Sequence, residues 1–363
     1  MTLKTRLSRA GLAALALYAF ALQPAVACTS LVITAADGSR VYGRTMEFAF
    51  PLESNAIVIP RKQAFSATAA NGQKGLQWAA KYAATGLNAY DIPVLIDGLN
   101  EKGLAGGILY FPDFAKYADP ATVKAEQSLA PWEFLTWALT NFATVDEVKA
   151  ALGGITLIAL NQPGANFIPP FHYTLHDANG KNIVIEPIDG KLVVHDNPFG
   201  VMTNDPPFPW HVQNLSNYVK LTRDDPPPLK IFGQTIKALG TGAGMLGIPG
   251  DLTPPSRFIR AVAYASSVVP PKDADETVRL TEHVMNNFDI PLGYQRVSAA
   301  PGAPMERTQW TTVADLKNAR YYFKTLDYQA LRQIDLKTLD LDNVGIKTFK
   351  LGKPYEIPKI EIK

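Results

Sequence analysis

The chain has 363 residues, 47% of them hydrophobic and 19% charged, with a formal net charge of +2. This is the composition of a core-forming globular protein and excludes a disordered chain. The positive balance belongs to residues 1–27, which hold Lys4, Arg6 and Arg9 and no acidic residue, so three of the 35 Lys+Arg and none of the 33 Asp+Glu lie there and residues 28–363 carry −1. No basic cluster remains in them to neutralise phosphates, which excludes nucleic acid as a partner.

Taken in order, residues 1–27 read as a secretory signal peptide. A basic start is followed by an apolar run from Gly11 to Leu22 and by the cleavage triplet Ala25-Val26-Ala27. The run is too short to span a bilayer, and no later segment reaches the roughly 18 uncharged residues of a membrane helix. Export across an inner membrane, to the periplasm, is the expectation. Cleavage after Ala27 would make Cys28 the first residue of the product. It is the sequence's one cysteine, so no disulfide framework exists and stability must come from the core.

β-Branched residues make 29–34 a strand, Asp37-Gly38 a turn and Arg40–Phe48 the returning strand, so the product opens with a β-hairpin. Residues 56–59, 92–96 and 103–110 read as further strands. Helical patterning covers 131–142 and resumes over 144–152, where Thr144 and Glu147 have the spacing of a capping box. Strands return at 155–160, Phe171–His176, Asn182–Ile188 and 191–195. Helices follow from about His211, over 256–266 and over 275–287, before late strands at 308–313 and 321–326. Residues 224–228 (DDPPP) read as an exposed loop. Strands, then grouped helices, then strands again indicate an antiparallel α+β fold rather than βαβ units. With no linker and no repeat, residues 28–363 read as one domain.

Three readings compete for Cys28. It could be the lipid anchor of a periplasmic binding protein, although Ala25 and the immediate onset of a strand speak against an anchor and tether. It could be a small buried thiol, although chain termini usually sit at the surface. Or it could be an N-terminal nucleophile, whose own α-amine, titrating near pH ~7.7–8.0, takes the thiol proton. The third needs no histidine partner, and none of the five histidines lies in a nucleophile-assisting motif. Arg44 would favour thiolate if it approached the sulfur, and Glu47 could hold the α-amine by a charge-assisted hydrogen bond.

Cys28-Thr29-Ser30 and Gly43-Arg44-Thr45-Met46-Glu47 resemble the opening of the choloylglycine hydrolase family, N-terminal-nucleophile hydrolases that include conjugated bile salt hydrolases and penicillin V acylases. The resemblance continues through Asn100–Leu104, Tyr110-Phe111-Pro112, Met202–Pro206, Asn214-Leu215, Asn217-Tyr218, Gly247–Asp251 and Pro255–Phe258. It implies a four-layer αββα sandwich of two antiparallel sheets between helical layers, no cofactor, and a homo-oligomer, commonly a tetramer. It implies Cys28 as nucleophile, Arg44 beside its sulfur, Asn204 as an oxyanion donor and Arg257 completing the polar network. Two positions depart from the common pattern. Glu47 replaces an Asp. Tyr110 stands where bile-salt-preferring members have Asn and where penicillin-V-preferring members often have Tyr, while its backbone N–H could serve the oxyanion in either case. The substrate implied is a small-molecule amide: penicillin V first, with a conjugated bile salt or an acyl-homoserine lactone as alternatives.

Two other patterns carry no function here. Gly242-x-Gly244-x-x-Gly247 follows no strand and reads as a loop. His172 and His176 share a strand face but have no companions for a metal set, and read as structural.

Overall fold

The computed structural model describes residues 27–163, 167–296, 298–342 and 345–352; apart from Ala27, the segment read as a signal peptide lies outside the described residues. In chain order the main strands are β1 (Cys28–Thr34), β2 (Arg40–Phe48), β3 (Asn55–Ile59), β4 (Ala84–Leu87), β5 (Asp97–Asn100), β6 (Ala105–Tyr110), β7 (Phe171–His176), β8 (Asn182–Ile188), β9 (Lys191–Asp196), β10 (Met305–Asp315), β11 (Arg320–Thr325), β12 (Tyr328–Asp335) and β13 (Lys347–Lys350). The first sheet runs β1-β2-β10-β11-β12, with the short strand Gln295–Arg296 added on β10. The second runs β9-β8-β7-β6-β5-β4-β3-β13. All these pairings are antiparallel.

The helices are α1 (Phe134–Asn141), α2 (Val145–Ala151), α3 (Phe208–Asn214), α4 (Pro254–Ser267) and α5 (Ala274–Met285). Helices α4 and α5 cover the outer face of the first sheet and α1 that of the second, which gives the expected four layers. The approach of α5 is close. A Cβ placed on Gly43 in β2 would sit 2.5 Å from Thr281 Cγ2, so only glycine fits beneath that helix. The apolar core fills the space between the sheets, where Tyr42 and Leu99 are buried, and the layers between sheets and helices, where Leu31 lies beside Gly43 under α5 and Tyr173 packs on Phe134.

The opening hairpin forms as expected. The Ser39 N–H donates to Asp37 Oδ1 at 2.8 Å across the turn, and the ladder sets Cys28 opposite Met46, Ser30 opposite Arg44 and Thr34 opposite Arg40. The pleat then sorts side chains. Tyr42, Arg44, Met46 and the Cys28 sulfur face the second sheet, whereas Gly43, Thr45 and Glu47 face the helices. At residues 92–96 the structure differs from expectation: Pro93 lacks an N–H for a ladder, and the paired strand begins only at Asp97. Residues 155–160 keep only a two-residue strand, Thr156–Leu157, which pairs in parallel with Ser128–Leu129. Thr144 does cap α2, accepting from the Glu147 N–H at 3.2 Å, but the Glu147 carboxylate reaches back to the Ala143 N–H rather than to Thr144. Among the described residues no helix is long and apolar enough to cross a membrane.

Candidate active site

Cys28 lies at the first position of β1, and two neighbours hold its backbone. Ser30 and Met202 exchange backbone hydrogen bonds at 2.8 and 3.1 Å, which ties the segment leading to Asn204 along the free edge of β1. Asn204 Oδ1 there accepts from the Cys28 nitrogen at 2.8 Å. From α4, Arg257 donates to the Cys28 carbonyl, to Thr29 Oγ1 at 2.8 Å and to Asn204 Oδ1 at 2.8 Å. Arg257 is itself aimed by its Nε–H, which donates to the Leu252 carbonyl at 2.9 Å.

On the opposite side of the sheet the sulfur meets Arg44, whose Nη2 lies 3.5 Å from Sγ. The same guanidinium donates to the Ile96 carbonyl at 2.7 Å and to the Ile108 carbonyl. The sequence showed an arginine in a strand; the structure shows a fully buried one reaching across to the second sheet. Its counter-ion is Asp97, at 3.5 Å with both side chains 0% exposed. Sequence reasoning missed Asp97 because Asp-Gly placed it in a turn between strands. Its carboxylate is satisfied almost wholly from the first sheet, accepting from Tyr42 at 2.8 Å, Tyr321 at 2.6 Å and Thr312 at 2.8 Å. Gly107 leaves room for this convergence: a Cβ there would lie 2.7 Å from the Tyr42 hydroxyl and 2.8 Å from Arg44 Nη1.

With Ala27 still attached, the Cys28 nitrogen is a peptide N–H that donates to Asn204 Oδ1, while Glu47 accepts from Thr308 Oγ1 at 2.8 Å and leaves Oε2 without a partner. The pleat sets that partner, because Glu47 faces the helix layer. The Asn204 Nδ2 group donates one hydrogen to the Tyr110 carbonyl at 2.8 Å, which leaves one N–H for an oxyanion. The expected lowering of the Cys28 thiol by Arg44 is outweighed. Burial pushes the thiol up, Arg44 only partly offsets it, and the negative charge of Glu47 adds to the rise. Burial likewise drives the Glu47 carboxyl up to about 8 against the pull of Arg257. Glu306, facing the same guanidinium with both oxygens unpartnered, is pushed to about 8 by burial.

The sulfur opens onto a cleft between the sheets and their connections, lined among the described residues by Met46, Phe48, Tyr90, Tyr110, Trp132, Phe171 and others, and by no charged side chain. Tyr110 packs edge-on against Phe171 and at a tilt against Phe48. The five other residues singled out from the sequence, Arg44, Glu47, Tyr110, Asn204 and Arg257, therefore gather around Cys28. Among the described residues no group of three or more His, Cys, Asp or Glu is placed to hold a metal ion.

Comparison with known proteins gives this geometry a family. Residues 28–349 match the linear amide C–N hydrolases of the choloylglycine hydrolase family. The chain is 36% identical to the bile salt hydrolase/transferase of Clostridium perfringens over 91% of this chain and 98% of that one. It is 29% identical to the penicillin V acylase of Pectobacterium atrosepticum over 93% of this chain and 89% of that one. A crystal structure of a C. perfringens conjugated bile acid hydrolase variant superposes with a TM-score of 0.80 at 32% identity, covering 92% of this chain and all of that one. Penicillin V acylase from Agrobacterium tumefaciens superposes with a TM-score of 0.72 at 25% identity, over 90% and 92% of the two chains. The chain belongs to the choloylglycine hydrolase family and has the Ntn-hydrolase fold. It is an enzyme, a hydrolase of linear amide C–N bonds, and the reading of it as a binding protein falls away.

Two predictions follow from the charges. Replacing Asp97 by Ala strands the buried Arg44 charge and is expected to cost about 3–5 kcal/mol in urea unfolding; a loss under 1 kcal/mol would show that the pair does not hold the sheets together. Glu47, with its folded pKa raised, contributes stability that is complete below its ordinary 4.5 and lost as pH rises through about 8. Gln imitates the protonated form. In the chain retaining Ala27, Glu47→Gln should therefore gain on the parent between pH 5 and 8, by at most about 1.4 kcal/mol per pH unit. Parallel stability–pH curves for the two proteins would contradict this.

Proposed function

We propose that the chain is exported to the periplasm, loses residues 1–27, and then hydrolyses amides with Cys28 as an N-terminal nucleophile. The observation that carries this reading is the position of Cys28, whose sulfur lines the apolar cleft while Asn204 and Arg257 hold its nitrogen and carbonyl. A thiol kept protonated by burial needs a base, and the α-amine freed by cleavage is the one within a bond or two of it. The amine takes the thiol proton as Sγ attacks the amide carbonyl. The remaining Asn204 N–H and the Tyr110 backbone N–H donate to the oxyanion, one such donor being worth roughly 2.7–4 kcal/mol elsewhere. The C–N bond then breaks, the ammonium protonates the departing amine, and a thioester remains. Water, giving its proton to the α-amine, attacks the thioester, releases the acid and restores the thiol. Glu47, whose carboxyl burial holds up at about 8, adds negative charge within electrostatic reach of this centre only as it ionises.

The cleft favours an apolar acyl group. Tyr110 at its edge supports a penicillin V acylase-like preference, for the aromatic acyl group of that substrate would meet an aromatic wall. The higher identity to the C. perfringens bile salt hydrolase/transferase supports a conjugated bile salt as the second reading. An acyl-homoserine lactone suits the same mechanism and a periplasmic location.

A homo-oligomer, a tetramer by analogy, belongs to the same proposal. The hairpin Leu229–Ile231 and Gln234–Ile236 exposes Leu229, Ile236 and Phe232, the last at 95%, an apolar arm suited to a second copy. Light scattering at the mass of one chain would remove this part.

The enzymatic test compares kcat/KM on penicillin V, taurocholate and a long-chain acyl-homoserine lactone for protein beginning at Cys28. Penicillin V is expected to lead by tenfold or more, about 1.4 kcal/mol of discrimination, and a lead for taurocholate would overturn the substrate assignment alone. One extra residue before Cys28, or Cys28→Ala, should abolish turnover, and full activity in either would remove the nucleophile assignment.

A further inference from the structure

Asn204 carries much of the proposed chemistry, yet it lies in an irregular segment outside the sheets. Two buried imidazoles hold that segment. His172, on β7, places Nε2 at 3.0 Å from the Thr203 carbonyl, and His211, on α3, places Nε2 at 3.0 Å from the Asn204 carbonyl. A carbonyl only accepts, so both Nε2 atoms carry hydrogen. Each ring is held flat by an aromatic partner: His172 stacks on Phe111 at 4.5 Å and 8°, His211 on Phe258 at 4.7 Å and 18°. Both histidines are 0% exposed.

One carboxylate ties the two supports together. Glu186, 1% exposed, accepts from the Phe208 N–H at 2.8 Å, at the start of the helix that carries His211. The same Oε1 lies 3.7 Å from His172 Nδ1, while Oε2 lies 3.2 Å from His195 Nε2. The segment is also tied to the origin of Arg257, because Thr203 Oγ1 donates to the Pro254 carbonyl at 3.0 Å. The charged or titratable groups facing His211 are His172, Arg257 and Glu186. Burial holds its imidazole down at about 4, so the ring is neutral and serves as a fixed donor.

We propose that His172 and His211 are positioning residues that clamp the consecutive carbonyls of Thr203 and Asn204, and so fix the Asn204 amide against the nitrogen and oxyanion position of Cys28. This rests on the reading of Cys28 as a processed N-terminal nucleophile. The sequence gave no hint of it, since neither histidine touches the sulfur and their common target is a pair of backbone oxygens.

The test follows the pH dependence of Cys28 alkylation by iodoacetamide, read by intact mass on protein beginning at Cys28, with kcat on whichever of penicillin V and taurocholate the parent cleaves faster. Losing the Asn204 acceptor destabilises the α-ammonium and lowers its pKa. His211→Phe keeps the stack on Phe258 and loses the donor. It should move the inflection to lower pH by about half a unit and lower kcat at least tenfold, with KM within twofold. His211→Gln restores an N–H donor and should recover the parental inflection and at least half of kcat. His172→Phe, which keeps the stack on Phe111, should repeat the effect of His211→Phe from the other carbonyl.

Folded Phe variants with the parental inflection and kcat would overturn the clamp. So would a folded His211→Gln as impaired as His211→Phe. If neither Phe variant folds, His211→Gln decides, parental behaviour supporting the donor role and impairment in a folded protein overturning it. The underlying reading fails separately: protein with one extra residue before Cys28 would then give the parental alkylation profile, and the clamp would lose its purpose with it.

Discussion

The structure turns on one ion pair buried between two sheets. Arg44 on β2 and Asp97 on β5 meet with no exposure to water. Taking two charges into the interior costs several kcal/mol each, and is tolerated only where hydrogen bonds complete both groups. Here two tyrosine hydroxyls and one threonine hydroxyl from the first sheet satisfy the carboxylate, and the Ile96 and Ile108 carbonyls accept from the two Nη groups of the guanidinium, whose buried Nε has no partner. Each sheet thus supplies what the other's charge requires. The arrangement fixes how the sheets sit on one another, and it leaves one guanidinium nitrogen directed at the Cys28 sulfur.

The pleat of the opening hairpin explains why the site has two halves. Cys28 is the residue at which both faces of the first sheet matter. Its sulfur goes toward the second sheet, where Arg44 and the apolar cleft lie. Its backbone is held by Asn204 from the sheet edge and Arg257 from the helix layer. A nucleophile in the middle of a strand would offer no nitrogen to serve as base. At the start of a strand, with the proposed cleavage after Ala27, the same residue would supply both sulfur and amine.

Burial then sets the chemistry. A cleft without a charged wall suits an apolar acyl group, but it also raises the thiol and keeps it protonated. Arg44 does not make a standing thiolate against that penalty. Its closeness to sulfur instead favours negative charge as the proton leaves, which is consistent with proton transfer to the amine during attack. The uncleaved chain occupies the same place differently: the Ala27 carbonyl accepts from the Glu47 N–H at 3.0 Å, and Ala27 is 3% exposed.

The sequence by itself determined the opening hairpin and the antiparallel α+β character, and it carries the lone cysteine directly after the cleavage triplet on which the proposed processing rests. These depend on local signals: β-branched runs, an Asp-Gly turn, a basic and apolar leader. The residues themselves pointed to Arg44 and Glu47, the family resemblance added Tyr110, Asn204 and Arg257, and the fold gathers all five around Cys28. Only the tertiary structure decided their partners. Asp97 reads locally as part of a turn, and its burial depends on Tyr42, Thr312 and Tyr321, residues up to 224 positions away. Glu47 reads as a neighbour of the amine, but strand alternation turns it to the helix layer and Thr308. His172 reads as a structural histidine and His211 only as the start of a helix, and their contact with one segment exists only once β7 and α3 are packed. Spacing along a strand is a property of the chain, whereas the partner of a buried charge is a property of the packing.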